Sequence, residues 1–141
     1  MPVRQIPEIK ETNMKTVLVV DDSEFIYTEI KDIVEKDGNY KVVGYAKNGE
    51  DGLKKYFDLK PDVTTLDIIM PGMDGIETAQ KIIEKDDSAF CRLIMVSSLC
   101  DASTLNEINS IGLKYLIPKP IEKEILLYTL NRIIKEQKEA I

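Results

Sequence analysis

Thr16-Val17-Leu18-Val19-Val20-Asp21-Asp22 is the stretch that decides the fold. Five residues suited to a β-strand run straight into two carboxylates. The construction recurs along the chain. Asp62-Val63-Thr64-Thr65-Leu66 ends in Asp67, and Arg92-Leu93-Ile94-Met95-Val96 ends in Ser97-Ser98. Lys114-Tyr115-Leu116-Ile117 ends in Pro118-Lys119-Pro120, and only the run from Tyr40 to Ala46 lacks a polar ending. Short runs rich in Val, Ile and Leu suit strands buried on both faces.

Helical spacing fills the gaps between these runs. The first helix starts after Asp22, with Phe25 or Ile26, Ile30, Ile33 and Val34 on one face, and stops at Lys36-Asp37-Gly38-Asn39. The second begins near Asn48, a good cap, and carries Leu53, Tyr56 and Phe57. The third follows Gly75 with Ile76, Ala79, Ile82 and Ile83. The fourth shows Leu105, Ile108 and Ile111 and stops at Gly112. The fifth runs from Ile121 to about Lys138, with Ile121, Ile125, Leu130, Ile133 and Ile134 apolar. Spacings of three and four give each helix one buried stripe. Strict βα alternation implies right-handed crossovers and a doubly wound parallel sheet covered on both faces, an α/β fold.

Composition narrows the function. A chain of 141 residues fits one domain with a proper core, expected over residues 15–138. Residues 1–14 read as a mobile extension rather than a secretory signal, and 139–141 as a short tail. The net charge of −6 argues against direct nucleic-acid binding. No apolar run approaches the roughly 20 residues of a membrane helix. Cys91 and Cys100 flank one strand and read as two lone thiols, which together point to a cytoplasmic protein. The chain has no His, which removes Ser-His-Asp chemistry, His-bound zinc and a phospho-His role. Tyr27, Tyr40 and Tyr128 read as surface or boundary residues.

Strand C-termini of an open parallel sheet share one edge, where ligands bind. Asp21, Asp22, Asp67, Ser97 and Lys119 therefore meet there. Carboxylates about 4–5 Å apart repel by roughly 4 kcal/mol per pair at an effective dielectric of 20. A raised pKa or a cation must offset this. Mg2+ suits a few carboxylates, waters and a phosphate oxygen, and no EF-hand-like ligand run favours Ca2+. Lys119 offers a point charge and Ser97 a hydroxyl to phosphoryl oxygens. Asp67 is free to act as nucleophile and form an acyl phosphate. Taken singly, each has a plainer reading: Asp21-Asp22 as a helix cap, Ser97 as a turn residue, Lys119 as a solvated charge. Pro71-Gly72-Met73-Asp74-Gly75 reads as a structural turn beside the site.

The chain resembles the receiver domain of two-component response regulators over residues 15–138. The resemblance is carried by Val19-Val20-Asp21-Asp22, Leu66-Asp67-Ile68-Ile69-Met70-Pro71, Gly72-Met73-Asp74-Gly75, Val96-Ser97-Ser98 and Lys119-Pro120. It implies a five-stranded (βα)5 flavodoxin-like fold with strand order 2-1-3-4-5. It implies a signalling switch: Asp67 accepts a phosphoryl group from a sensor histidine kinase, and its state is relayed to an output partner. Mg2+ would be held by Asp21, Asp22, Asp67 and the Ile69 backbone carbonyl, with Ser97 and Lys119 binding the phosphoryl group. The output face would be the fourth helix, fifth strand and fifth helix. Catalysis would be limited to the domain's own phosphoryl transfer and slow hydrolysis. The Lys119-Pro120 peptide is expected to be cis.

One departure concerns the aromatic residue that the family places three before its lysine. That position is Leu116, while Tyr115 lies next to it and must face the other side of the sheet. Three other readings compete. A haloacid-dehalogenase-type phosphatase needs an Asp-x-Asp motif after strand one, which Asp21-Asp22-Ser23 is not. A flavin carrier of flavodoxin type needs a Ser/Thr/Gly-rich loop there, and Asp21-Asp22-Ser23-Glu24 would repel phosphate. A phosphorylation-independent interaction module of the same fold has no need of the complete acidic set.

Overall fold

The computed structural model describes residues 14–139. The first half contains β1 (Lys15–Val20), α1 (Glu24–Asp37), β2 (Tyr40–Ala46), α2 (Gly49–Leu59) and β3 (Val63–Asp67). Then follow α3 (Gly75–Lys85), a 3-10 turn (Ala89–Arg92), β4 (Leu93–Ser97), α4 (Ala102–Ser110), β5 (Tyr115–Pro118) and α5 (Lys123–Glu139). The strands form one parallel sheet in the order β2-β1-β3-β4-β5, as expected. The reading of residues 1–14 as an extension falls on 1–13, outside the described residues, apart from Met14; of the tail, only Glu139 is described, within α5.

Alternation along each strand builds two cores. Leu18, Val20, Leu66 and Met95 face one side and meet Tyr56 of α2, Ile76 and Ile82 of α3 and Ile108 of α4. Val17, Val19, Ile94, Val96 and Ile117 face the other and meet Ile30 and Val34 of α1 and Leu126, Leu130 and Ile133 of α5. The central strand β3 is buried at every position. Its Thr64 and Thr65 hydroxyls have no hydrogen-bond partner, so these residues serve the sheet as β-branched filling.

Helix starts follow their caps. Ser23 Oγ accepts from Ile26 N, Asn48 from Asp51 N, Asp74 from Glu77 N and Asp101 from Thr104 N. Gly38 ends α1 in the left-handed conformation that glycine adopts without strain.

Of the two alternatives for the first inward position of α1, Ile26 takes it and Phe25 is 74% exposed. Other sequence readings need correction. Leu105 is exposed, leaving Ile108 as the buried anchor of α4. Ile125 is exposed and Leu126 is buried, because three consecutive apolar residues let the stripe sit one place later. Ile121 is buried but precedes α5. Tyr40 is a core residue: its ring is buried under α5 and its hydroxyl donates to Asn131 Oδ1. Arg92 closes the 3-10 turn rather than opening β4, and Asp62 and Lys114 precede their strands. Tyr128 is exposed as expected, and Tyr27 is half-buried in a stack on Tyr45, with ring centroids 4.1 Å apart.

Candidate functional site

Asp21 sits one residue past β1, where its N–H continues the ladder to Ala46 O at 3.0 Å. Its Oδ1 accepts from Ser23 N at 2.9 Å, which turns the chain into α1. Its Oδ2 is buried, has no well-aligned hydrogen bond, and faces the Lys119 ammonium at 3.1 Å. Asp67 is the last residue of β3 and is only 4% exposed. Lys119 Nζ lies 3.4 Å from its Oδ1. Asp22 is exposed beside them, and one carboxylate oxygen from each of Asp21, Asp22 and Asp67 lies within 4.8 Å of the others.

Backbone packing fixes Asp67. Gly75 donates its N–H to Ile68 O at 2.7 Å, drawing the start of α3 onto the strand end. A Cβ on Gly75 would stand 2.0 Å from the Asp67 carbonyl oxygen, so only glycine permits the approach. Gly72 turns the intervening loop at φ +75°. Lys119 is placed by its own N–H, which donates to Ser97 O at 3.0 Å, and is followed by a cis bond to Pro120. Ser97 is buried at the end of β4, and its Oγ accepts from Leu99 N at 2.9 Å.

These distances set the electrostatics. Burial, aided by the Asp21 charge, pushes the Asp67 carboxyl up to about 6 against the pull of Lys119. Burial also works against the Lys119 ammonium, but Asp21 and Asp67 outweigh it and hold its pKa above the ordinary lysine value. Two buried carboxylates thus share one ammonium. A hard oxygen donor set with surplus negative charge and an orphaned buried oxygen fits a hard divalent cation.

Every residue expected at the strand edge is therefore brought to it. Ile69 and Leu99 stand on the rim, 57% and 39% exposed. Tyr115 and Leu116 separate as expected, the first packing on the α5 side and the second on the opposite core. Tyr115 Oη donates to Glu136 Oε1 at 2.5 Å. Burial first, and then Glu136, raises its pKa to about 12. Two participants escaped sequence reading. Ser23 both caps α1 and ties down Asp21, which a Ser directly before a helical period signals. Lys47 pairs with Glu24 at 2.6 Å across the rim, a contact between exposed residues with no sequence signal.

Residues 17–131 match the family model described as the response regulator receiver domain. The chain is 41% identical over 122 residues to the chemotaxis protein CheY of Listeria monocytogenes, covering 86% of this chain and all of that one. It is 44% identical over 106 residues to a protein-glutamate methylesterase/protein-glutamine glutaminase of Thermotoga maritima, spanning 74% of this chain but 30% of that protein. Among solved structures, CheY in the CheX-CheY-BeF3-Mg2+ complex of Borrelia burgdorferi superposes with a TM-score of 0.80. That match has 31% identity and covers 88% of this chain and 92% of the other. The fold, the strand-edge geometry and these matches converge: the chain belongs to the response regulator receiver family, of the type found in CheY and in the methylesterase.

Proposed function

We propose that the chain is a phosphorylation-controlled switch whose receiver domain spans residues 15–138 and whose phosphoryl acceptor is Asp67. The observation that carries this reading is the position of Asp67: buried at the centre of the strand edge, crowded by Asp21, and within reach of Lys119. The donor is a phosphohistidine of a sensor kinase. An Asp67 carboxylate oxygen attacks phosphorus, the P–O bond forms, and the P–N bond to the departing imidazole breaks. Lys119 offsets charge on one phosphoryl oxygen and the Ser97 hydroxyl donates to another. Mg2+ would be held by Asp21, Asp22, Asp67 and the Ile69 carbonyl, and would neutralise the remaining oxygens.

The free Ser97 O–H can turn toward the phosphoryl group at the cost of its bond from Leu99 N, which couples the site to the segment leading into α4. The face of α4, β5 and α5 then reports the state to an output partner. Exposed Leu105, Ile125 and Tyr128 on α4 and α5 supply apolar area for that contact. A cytoplasmic site of action suits two free cysteines and, among the described residues, no helix long and apolar enough to cross a membrane.

Amide exchange with and without beryllofluoride and Mg2+ tests the relay. Changes are expected across residues 97–119. Changes confined to α2 and α3 would refute it.

A further inference from the structure

At the end of the sheet opposite Asp67, the C-termini of α2 and α3 and the residue before β4 enclose a pocket of about 260 Å³. Its wall holds two aromatics, Tyr56 and Phe57, one carboxylate, Asp86, and three cations, Lys60, Lys85 and Arg92. Three independent features single it out. First, Arg92 Nε is buried with no hydrogen-bond partner. Asp86 and Tyr56 both face the guanidinium, Asp86 as an ion pair with Oδ2 3.8 Å from Nη1, but neither reaches Nε. That oxygen already accepts from Tyr56 Oη at 2.8 Å, and Oδ1 accepts from Ser88 N at 3.2 Å and Ser88 Oγ at 2.7 Å.

Second, Lys60 is the one non-glycine among the described residues with positive φ, at 48°. Its N–H ends α2 by donating to Tyr56 O, a position where glycine is the unstrained choice. The cap carries the Lys60 cation to the pocket rim. Third, neither Lys60 nor Lys85 has an ion pair among the described residues; Lys85 Nζ rests only over the Phe57 ring, 6.0 Å from its centroid. Three cations face one carboxylate and the negative C-terminal ends of α2 and α3, which leaves a local excess of about one positive charge in a chain of net charge −6.

We propose that this pocket binds a small phosphate-bearing anion, with Arg92 as the hydrogen-bonding fork and Lys60 and Lys85 as flanking charges. A guanidinium matches two phosphate oxygens at once, and the Arg92 side chain, 30% exposed, keeps part of its fork open while its orphaned Nε–H shows that the protein does not fully satisfy it. The volume lies below the roughly 300–1,000 Å³ of ordinary small-molecule sites, so the occupant is small. No residue of this pocket belongs to the Asp67 site, and the two stand or fall separately.

Inorganic phosphate is the probe. The full chain is titrated in chelator, so that Mg2+ contributes nothing, with chloride holding the ionic strength constant. The Arg92 Nε–H resonance and the backbone amides of Lys60 and Asp86 are followed by NMR. Saturable shifts are expected at all three, unchanged in Asp67→Asn and about tenfold weaker in binding for Arg92→Lys with its melting temperature nearly retained. If Arg92→Lys fails to fold, Lys60→Ala/Lys85→Ala replaces it, with the same loss expected. Shifts that rise linearly with phosphate, or that persist at full affinity in these variants, would overturn the proposal.

Discussion

Two aspartates stand at opposite ends of β3, and they have opposite surroundings. Asp62, just before the strand, accepts from Thr16 N at 2.8 Å and Thr16 Oγ1 at 3.1 Å, while its own N–H donates to Thr16 O. Gln137 of α5 donates to its carbonyl at 3.2 Å. It is a carboxylate supplied with donors, stitching β1 to β3. Asp67, at the other end of the same strand, is more deeply buried, faces Asp21, and shares a single ammonium with it. One end of the strand uses charge to hold the fold, and the other stores unfavourable charge. Net electrostatic cost held in place by packing is how a reactive site differs from a structural one.

The largest expected effect tests the packing that holds Asp67. Gly75→Ala puts a Cβ 2.0 Å from the Asp67 carbonyl, so α3 or the strand end must shift. A loss of about 3 kcal/mol or more is expected in denaturant melts. An unaltered midpoint would mean that the strand end is not clamped. Next, Asp62→Ala removes the acceptor of two hydrogen bonds and leaves Thr16 N–H unpaired. It should cost about 2–3 kcal/mol. A loss below about 0.5 kcal/mol would erase the contrast between the two ends.

Asp67→Asn should do the reverse. The Asp67 pKa is raised from 3.8 to about 6, so the native state binds this proton more tightly than the unfolded chain. Its contribution to stability is fully present below about 3.8 and is lost as pH rises through about 6. Such a rise corresponds to at most about 3 kcal/mol, and losing the Lys119 attraction lowers the gain from substitution. In chelator, Asp67→Asn should be about 1–2 kcal/mol more stable than wild type at pH 7. The difference should fade toward pH 4. A variant that is less stable than wild type at pH 7 would contradict the electrostatic reading. The smallest effect concerns lifetime. Ile69 and Leu99, two residues after Asp67 and Ser97, are exposed, and the family resemblance implies that these positions line the path of an attacking water, which neither side chain can orient. Ile69→Asn and Leu99→Glu should each speed loss of the phosphoryl group by roughly 5–30-fold, the value of one orienting contact of about 1–2 kcal/mol. Equal decay in wild type and variants would show that these side chains do not control access.

The Asp67 end is more legible in sequence than the Asp62 end, and the reason is physical. Asp21, Asp22, Asp67, Ser97 and Lys119 each follow a strand-like run, so topology alone brings them to one edge. Asp62 also borders a run, but its bond to Thr16 depends on the register of β1 against β3, which no local pattern carries. Tyr40 is equally illegible locally, since its hydroxyl finds Asn131 across 91 positions of chain. Leu130 and Ile133 of the α5 stripe are buried as read, but Ile125 gives way to Leu126, because Ile125-Leu126-Leu127 satisfies several helical phases and only packing on the sheet selects among them. Gly75 read as part of a turn; that it admits α3 against the Asp67 carbonyl is a tertiary fact.

The most direct test maps the phosphoryl group itself. The full chain is incubated with phosphoramidate and Mg2+, and intact mass and peptide mapping locate the modification. The expected result is one phosphoryl group on Asp67, absent from Asp67→Asn and present in Asp62→Asn. Stable labelling of the Asp67→Asn variant at another residue, or a wild-type label mapped away from Asp67, would contradict the assignment.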